Sequence, residues 1–408
     1  MKKLFGQYAG LRREMYIIFF GRVVTNMGAL IWPMLTLILK SKMGLSASDS
    51  ANLLLLLGVL QLPCTMIGGK LADRFSKRSI IIVCDLVTVG CYLVCSLLPI
   101  SYLFVALFFV AGIFAQMEWP SYDALVADMS SSADRERAYS LNYLGANLGL
   151  VLAPTLGGLL FAQHLNLAFL INAVSTFCST VLIFFFIRDT RPTQDASPVS
   201  RYEAGHQGST WQVLRRSKVL WLFLVCSAVG EAVYSQFNFL LPLNMEQLYG
   251  QQGAVWFGML TSVNATVVIL CTPLLTARFG RLRDTAKLLA GEVFIALGFG
   301  FYIFVQGFIP LYFVAMVVFT LGEIFTTLGR QPYLTRRIPA SHRGRLTSIT
   351  LVGGMLCQGV ALKVGGALAD GTPLLLVWGL VVAVAAAVAA GYALLRRADR
   401  RAFPLLYK

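Results

Sequence analysis

Charged residues are scarce in this sequence, and their scarcity excludes an ordinary soluble domain. Only 13% of the 408 residues are Asp, Glu, Lys or Arg, whereas 57% are hydrophobic and the mean hydropathy is +0.71. Soluble chains carry charge on about 25% of their residues. The polar side chains are too few to cover a water-exposed surface, so the chain is predicted to lie in a membrane.

The sequence also lacks the motifs that soluble enzymes use for hydrolysis or nucleotide binding. It has no P-loop, no GxSxG and no HExxH motif. The histidines fall in loops and share no ligand spacing: His164, His206 and His342. The eight cysteines lie inside or beside apolar runs, which is typical of small buried side chains and gives no disulfide framework. No enzyme activity, metal or cofactor is predicted, and any transport must draw on an ion gradient.

Long apolar runs are abundant. A helix that crosses a bilayer needs about 20 mostly apolar residues, and the sequence contains twelve such runs. They begin near Tyr16, Ala51, Ser79, Tyr102, Tyr139, Leu167, Val219, Val255, Ala286, Leu311, Ser348 and Leu374. The predicted fold is an all-α polytopic membrane protein with twelve transmembrane helices.

The basic residues predict the orientation of these spans, because Lys and Arg accumulate in short cytoplasmic loops. One alternate set of loops carries nearly all of them, and the opposite set holds little beyond Lys40 and Lys42. The chain is therefore predicted to lie in the cytoplasmic (inner) membrane, with both termini in the cytoplasm. The net charge of +15 is spread over many loops and does not predict a nucleic-acid partner.

The chain reads as two related halves joined by a polar linker. The predicted boundaries are 1–187 and 219–408 for two six-helix bundles and 188–218 for a cytoplasmic linker. "GGKLADRFSKRS" after span two is echoed by "LLTARFGRLRD" after span eight, with Arg74 and Arg278 lying 204 residues apart. Asp85 and Glu292 lie 207 residues apart in spans three and nine. Such duplication is typical of transporters whose substrate site lies between two repeats.

The loop after span two resembles the signature loop of the major facilitator superfamily, G-x-L-A-D-R-x-G-R-[RK]. The matching residues include Gly69, Asp73, Arg74, Lys77 and Arg78, with Ser76 in place of the usual glycine. The resemblance implies that these residues gate transport and do not bind substrate. Asp73 would cap the neighbouring end of helix eleven, and Arg74 or Arg78 would bridge to a span-four acid, Asp123 or Asp128.

Helix five carries "GLVLAPTLGG", which is similar to the G-x-x-x-G-P-x-x-G-G motif of proton-coupled drug exporters in that superfamily. Its matching residues are Gly149, Pro154, Gly157 and Gly158. Small residues allow close helix packing and proline kinks a helix, so a packing seam without a transport role is the alternative interpretation.

"TLGEIF" and "AYSLNYLGANLGLVLA" resemble the LmrP-type multidrug exporters of the same superfamily. The resemblance assigns Glu323 to proton coupling and drug binding. Asn142 and Asn238 stand where that group is expected to have membrane aspartates, so an identical coupling scheme is not implied.

Physical chemistry alone also favours a functional role for Glu323. A charged group at bilayer depth costs a few kcal/mol or more, and Thr320, Glu323, Thr327 and Arg330 share one helical face that should line a cavity. A desolvated carboxyl group holds a proton, and a nearby cation favours its release. The alternative is a permanently ionised Glu323 held by an arginine.

Other candidates lie on spans one, four and seven, which with span ten line the central cavity in the resembled superfamily. Span seven places Ser227, Glu231, Ser235 and Asn238 on one stripe, with Tyr234 and Phe237 nearby. Glu231 would bind substrate or a proton, or would pair with Arg22. The remaining candidates are Asn26, Glu118 for the proton path, and Trp119. Asp85 and Glu292 are predicted to be structural.

These observations predict a secondary active transporter, a proton-coupled antiporter that exports amphiphilic or cationic drugs. Cavity acids would bind charge, and Trp32, Trp119, Tyr122, Tyr234, Phe237 and Phe325 would offer apolar and cation–π contacts. Two alternatives use the same parts: proton symport of a nutrient inward, and a membrane receptor or assembly protein on a transporter fold. The resemblance implies a monomer.

Overall fold

A computed structural model describes residues 8, 10–129, 135–188, 217–279, 282–305, 307–337 and 343–404. Helices dominate these residues, and no β-strand is found among them. The helices are α1 Arg13–Gly28, α2 Ala47–Arg74, α3 Lys77–Leu97, α4 Tyr102–Met129, α5 Arg135–Leu150, α6 Ala153–Phe161, α7 Leu165–Phe186, α8 Lys218–Tyr249, α9 Gly253–Phe279, α10 Asp284–Phe304, α11 Ile309–Arg337, α12 Arg343–Gly371 and α13 Leu374–Ala402.

Two of the predicted spans are interrupted where proline removes a backbone donor. After α1 the chain continues as short helical turns, Trp32–Met34, Leu35–Leu37 and Ile38–Lys42, with Pro33 in the first of them. The fifth span is divided into α5 and α6, and Pro154 stands in the first turn of α6. Each of the other spans is a single helix.

Eleven stretches of the described chain are long and apolar enough to cross a membrane. One of them, Lys218–Thr276, has 59 residues and covers both α8 and α9. At 1.5 Å per residue it measures about 90 Å, which is far longer than one hydrocarbon core of about 30 Å. Because it consists of two helices, α8 and α9, it supplies two spans. The prediction of an all-α protein with twelve membrane helices is confirmed, and the helices begin within five residues of the predicted positions.

The described residues divide into two compact units. Unit 1 comprises those within 1–45, 53–195 and 242–269, and unit 2 those within 46–52, 196–241 and 270–408. Residues 189–216 of the predicted linker lie outside the described residues. The domain boundaries stay a prediction.

The core of unit 1 joins α1, α3, α4, α5 and α7. Its buried residues include Met15, Ile18, Ile81, Tyr122, Leu125, Val126, Leu141 and Ile183. An aromatic group adds a second centre, in which the rings of Phe108 and Trp32 have centroids 4.8 Å apart and Phe169 packs against Phe104 at 4.8 Å. Burial of this apolar surface fixes the five helices side by side.

The core of unit 2 joins α8, α10, α11 and α13. It includes Phe223, Leu288, Tyr333, Tyr392 and Leu395, all 1% exposed or less. Glycines bring α10 and α11 together: a Cβ on Gly322 would stand 2.6 Å from the Gly291 carbonyl oxygen. Small residues permit this close approach between membrane helices. The packing against α10 fixes the position of α11, the helix that carries the candidate site.

Candidate functional site

Glu323 stands at the middle of α11, fourteen residues from Ile309 and fourteen from Arg337. Its side chain is half-buried, and its carboxylate accepts a hydrogen bond from the Tyr234 hydroxyl of α8 at 3.1 Å. A helix of 29 residues is longer than the hydrocarbon core is thick. The middle of α11 is therefore within the apolar part of a bilayer, where a carboxyl group is expensive to place.

Aromatic rings surround this carboxylate. Tyr234 stacks on Phe319 with centroids 5.6 Å apart and an interplanar angle of 18°, and Phe237 stacks on Phe319 at 5.3 Å. Phe237 and Phe319 are buried, whereas Tyr234 is half-buried. A carboxylate beside stacked aromatic faces offers both charge and cation–π contact to an organic cation.

Glu231 and Arg330 form an ion pair between the same two helices. Arg330 donates to the Glu231 carboxylate at 2.6 Å, and both side chains keep about a third of their surface exposed, 31% and 37%. Tyr234 follows Glu231 by three residues along α8. Its partner Glu323 instead precedes Arg330, the partner of Glu231, by seven residues along α11. Both intervals keep residues on one helical face, so α8 and α11 run antiparallel with these faces opposed.

The other members of the two predicted polar stripes differ in burial. Thr320 is fully buried and donates to the Met316 carbonyl at 2.7 Å, and buried Ser235 donates to the Ala232 carbonyl at 2.7 Å. Ser227 is also buried. The other two members of the stripes, Asn238 and Thr327, are exposed.

In unit 1, Arg22 lies within a group of side chains from three helices, α1, α3 and α4. Its guanidinium packs over the rings of Tyr122 at 4.4 Å and Trp119 at 4.6 Å. The charge of Arg22 acts on the carboxyl groups of both Asp85 and Glu118. The structure thus brings the predicted candidates Arg22, Glu118 and Trp119 together with Asp85, which is predicted to be structural.

Two of the predicted asparagines, Asn26 and Asn142, lie on α1 and α5 of unit 1. Asn26 stands one turn after Arg22 and donates to its backbone carbonyl at 2.9 Å. Asn142 of α5 is 9% exposed, and its side-chain oxygen has no hydrogen-bond partner among the described residues. A buried unsatisfied amide oxygen is costly in an apolar setting.

The predicted gating loop is shorter in the structure than its motif, because α2 runs through Gly69 and ends at Arg74. Ser76, in place of the usual glycine, caps α3 by accepting the Ser79 backbone N–H at 3.2 Å. Lys77 is buried, and Arg78 donates to the Phe184 carbonyl at 2.5 Å. The remaining side chains of this prediction lie outside the described residues: Asp73, Arg74, Asp123 and Asp128.

The helix-five motif forms close backbone contacts within unit 1. A Cβ on Gly149 would stand 2.6 Å from the Val23 carbonyl oxygen of α1, and one on Gly157 would stand 2.3 Å from the Leu30 oxygen. A Cβ on Gly158 would meet the Ala254 oxygen of α9 at 2.4 Å. These three glycines therefore allow α5 and α6 to pack closely against the backbones of Val23, Leu30 and Ala254.

Sequence reasoning missed a buried charged network at one end of unit 2. Arg337 donates to both oxygens of Asp399 at 2.7 Å and to Asp284 at 3.2 Å, and Tyr333 also donates to Asp399 at 3.1 Å. Burial alone would lower the pKa of Arg337, but the hydrogen bond and charge of Asp399 raise it. Asp284 and Asp399 lie 115 residues apart in the sequence, so no local sequence pattern predicts the network.

An apolar groove of about 400 Å³ lies between α8, α12 and α13. It is lined by residues such as Val233, Leu240, Val360 and Val381, and none of the predicted site residues borders it. Leu356 and Val360 on its rim are 63% and 64% exposed, which is typical of side chains that face lipid.

Comparisons with known proteins agree with the transporter interpretation. The sequence model of the Major Facilitator Superfamily matches residues 17–362. A Na(+), Li(+), K(+)/H(+) antiporter of Planococcus maritimus is 22% identical over 347 residues, covering 78% of this chain and 80% of that protein. The multidrug resistance protein MdtH of Aeromonas salmonicida is 24% identical over 342 residues, 83% of each. Among solved structures, a mutant peptide transporter POT in complex with alafosfalin has the same fold, with a TM-score of 0.79 at 16% identity over 98% of each chain.

Proposed function

From the premise that this chain belongs to the Major Facilitator Superfamily and is a secondary transporter, we propose that it is a proton-coupled antiporter that exports amphiphilic cations by alternating access. The observation that carries the proposal is the carboxylate of Glu323 at the middle of α11, beside Tyr234 and the stacked ring of Phe319. An ionisable group at that depth is costly, so it is expected to bind a proton or a charged substrate.

The chemistry of exchange follows from competition for one carboxylate. Without a cation, burial favours the protonated, neutral form of Glu323. An amphiphilic cation that packs its apolar part on the half-buried ring of Tyr234 brings positive charge to the carboxyl group and displaces the proton. Binding of cation and of proton are then mutually exclusive, which is the condition for antiport.

The pH gradient supplies the driving force in this scheme. One proton exchanged for one monovalent cation moves no net charge, so the membrane potential adds nothing to the exchange. Glu231 gives the site a second carboxylate whose charge is held by Arg330 at 2.6 Å. A substrate with its own positive group can compete with Arg330 for Glu231.

The relatives support the coupling and the substrate class. One is named as an antiporter of monovalent cations and protons, and another as a multidrug resistance protein. The distribution of basic residues supports cytoplasmic termini in the inner membrane, and we place the residues 69–78 in the switch between inward and outward states. A monomer is sufficient for this mechanism.

Proton release on ligand binding tests the proposal. The purified chain in a weakly buffered detergent solution, with a pH indicator, is titrated with the lipophilic cation tetraphenylphosphonium. The wild-type protein should release about one proton per bound cation, and Glu323→Gln should bind the cation without release. Glu14→Gln, in the first turn of α1, is the matched control and should behave as the wild type.

Two results would count against antiport. Proton uptake on ligand binding would favour a symporter, and the absence of any binding would favour a receptor or assembly protein.

A further inference from the structure

The apolar groove between α8, α12 and α13 contains one amide, the side chain of Gln236. The groove has a volume of about 400 Å³, and none of the residues that line it carries a charge. Apart from Gln236, Cys357 and Gly365, every lining residue is Ala, Val or Leu. A cavity of this size, apolar except for a few polar groups, is typical of sites for small organic molecules.

The amide of Gln236 is only half satisfied. Its side chain is 3% exposed, and Nε2 donates to the Ala232 carbonyl and to the Ser235 hydroxyl, both at 3.2 Å. Oε1 has no hydrogen-bond partner among the described residues. The orientation of the amide is fixed by these contacts, because the reversed amide would place Oε1 against the Ala232 carbonyl oxygen. The unpaired atom is therefore an acceptor, and a buried unpaired acceptor is costly.

The position of Gly365 shows where this oxygen lies in the groove. Gly365 belongs to the α12 wall, and a Cβ on it would stand 3.2 Å from Oε1 of Gln236. Oε1 thus lies at that wall, where glycine places no side chain over it. A molecule in the groove that carries a hydrogen-bond donor can satisfy the oxygen at this point.

The depth of Gln236 restricts what that molecule can be. Gln236 lies eighteen residues after Lys218 and thirteen before Tyr249, which is within about 4 Å of the middle of α8. The hydrocarbon core is about 30 Å thick, so phospholipid headgroups lie about 15 Å from its centre. Leu356 and Val360 on the rim are 63% and 64% exposed, so the groove opens toward lipid. The donor must come from an uncharged molecule that dissolves in the core, because a charge at this depth is expensive.

We propose that this groove binds small uncharged amphiphiles with one hydroxyl or N–H donor, such as phenols, which enter from the hydrocarbon core. The apolar body fills the space between the aliphatic side chains of the three helices, and the donor binds Oε1 of Gln236. This site is separate from the proposed cation site at Glu323, and its existence does not depend on proton coupling.

Fluorine NMR of the full chain in lipid nanodiscs tests the proposal with a matched pair of ligands. The pair is 4-(trifluoromethyl)phenol and its methyl ether, 4-(trifluoromethyl)anisole, which share an apolar body and differ in the donor. Empty nanodiscs give the partition of each ligand into lipid, and the saturable remainder gives its affinity for the protein. The wild-type protein should bind the phenol about fivefold more tightly than the ether, because only the phenol forms the hydrogen bond.

Three variants assign that preference to Gln236. Gln236→Leu removes the acceptor with little change in volume and should bind the two ligands equally. Gly365→Ala adds a Cβ beside Oε1 and should weaken the phenol more than the ether. Gly379→Ala on α13 meets nothing within 4 Å and is the control, which should keep the wild-type preference.

Two results would overturn the proposal. One is an equal affinity of the wild-type protein for phenol and ether, or a preference for the phenol that survives in Gln236→Leu. The other is the absence of saturable binding of either ligand, which would show that lipid chains fill the groove. Proton release by tetraphenylphosphonium is measured separately, so failure of the proposed antiport leaves these affinities as they are.

Discussion

Tyr234 donates a hydrogen bond to Glu323 at 3.1 Å, and the contact joins α8 to α11 at the midpoint of α11. One turn away along α8, the ion pair of Glu231 with Arg330 joins the same helices. Two polar contacts therefore hold one interface inside unit 2. A change in the charge of either acid alters how these helices are held together.

The ring and the hydroxyl of Tyr234 have separable effects on ligand binding. Tyr234→Phe keeps the stack on Phe319 and should change the affinity for tetraphenylphosphonium by less than about threefold. Tyr234→Ala removes the aromatic face and should weaken binding by about tenfold, which corresponds to about 1.4 kcal/mol. Equilibrium binding to the purified protein measures both. Equal affinities for the two variants would exclude Tyr234 from the binding surface.

A double-mutant cycle tests the ion pair of Glu231 and Arg330. Each single variant, Glu231→Gln and Arg330→Gln, leaves one charge without its partner, so the double variant should be more stable than the sum of the two losses predicts. Because both side chains are about a third exposed, we expect a coupling of about 1 kcal/mol. Denaturant unfolding in mixed micelles gives the free energies, and additive losses would show that the pair contributes no coupling.

The buried network around Arg337 should be essential for stability. Arg337→Gln leaves Asp399, which is fully buried, without its charged partner, and the loss of one member of a buried pair costs about 3–5 kcal/mol. Arg400→Gln changes an exposed arginine on the same helix as Asp399 and should cost less than about 0.5 kcal/mol. Unfolding free energies of the two variants in the same micelles compare them, and equal losses would contradict a structural role for the network.

Close packing at the helix-five motif predicts that an alanine at one of its glycines lowers stability more than an alanine at a glycine that is not closely packed. Gly157→Ala places a Cβ 2.3 Å from a backbone oxygen of Leu30, whereas Gly90→Ala meets nothing within 4 Å. The first should lower stability by about 1–3 kcal/mol, because overpacking forces helices apart, and the second should be neutral or slightly stabilising because alanine favours helix. Thermal unfolding with an environment-sensitive dye ranks the two, and the reverse order would refute the packing interpretation.

Hydropathy alone locates the predicted spans, because the bilayer imposes length and composition on each span separately. The starts at Tyr102 and Leu374 were predicted to the residue. Glu323 was also accessible from the sequence, since one acid in a long apolar run stands out whatever its neighbours are. Ser76 was not: its role as a helix cap depends on where α3 begins, not on the motif that it interrupts.

Partnerships between helices were beyond the reach of the sequence. Arg330 was placed on the face of Glu323, but its bond to Glu231 depends on how α8 lies against α11. Asp85 is predicted to be structural because a single helix shows only its own residues, and the hydrogen bond that it accepts from Thr180 arises from the packing of α3 on α7. Such pairs form between residues far apart in the chain, so periodicity carries no signal for them.

Uptake driven by an imposed pH gradient tests the central claim most directly. Proteoliposomes with an acidic lumen and the membrane potential clamped at zero are supplied with tetraphenylphosphonium, and wild-type protein is compared with Glu323→Gln and with the control Glu14→Gln. One-for-one exchange across one pH unit should concentrate the cation about tenfold in the lumen, and Glu323→Gln should reach no more than equilibration. Accumulation by Glu323→Gln to the wild-type level would show that Glu323 does not carry the coupling proton.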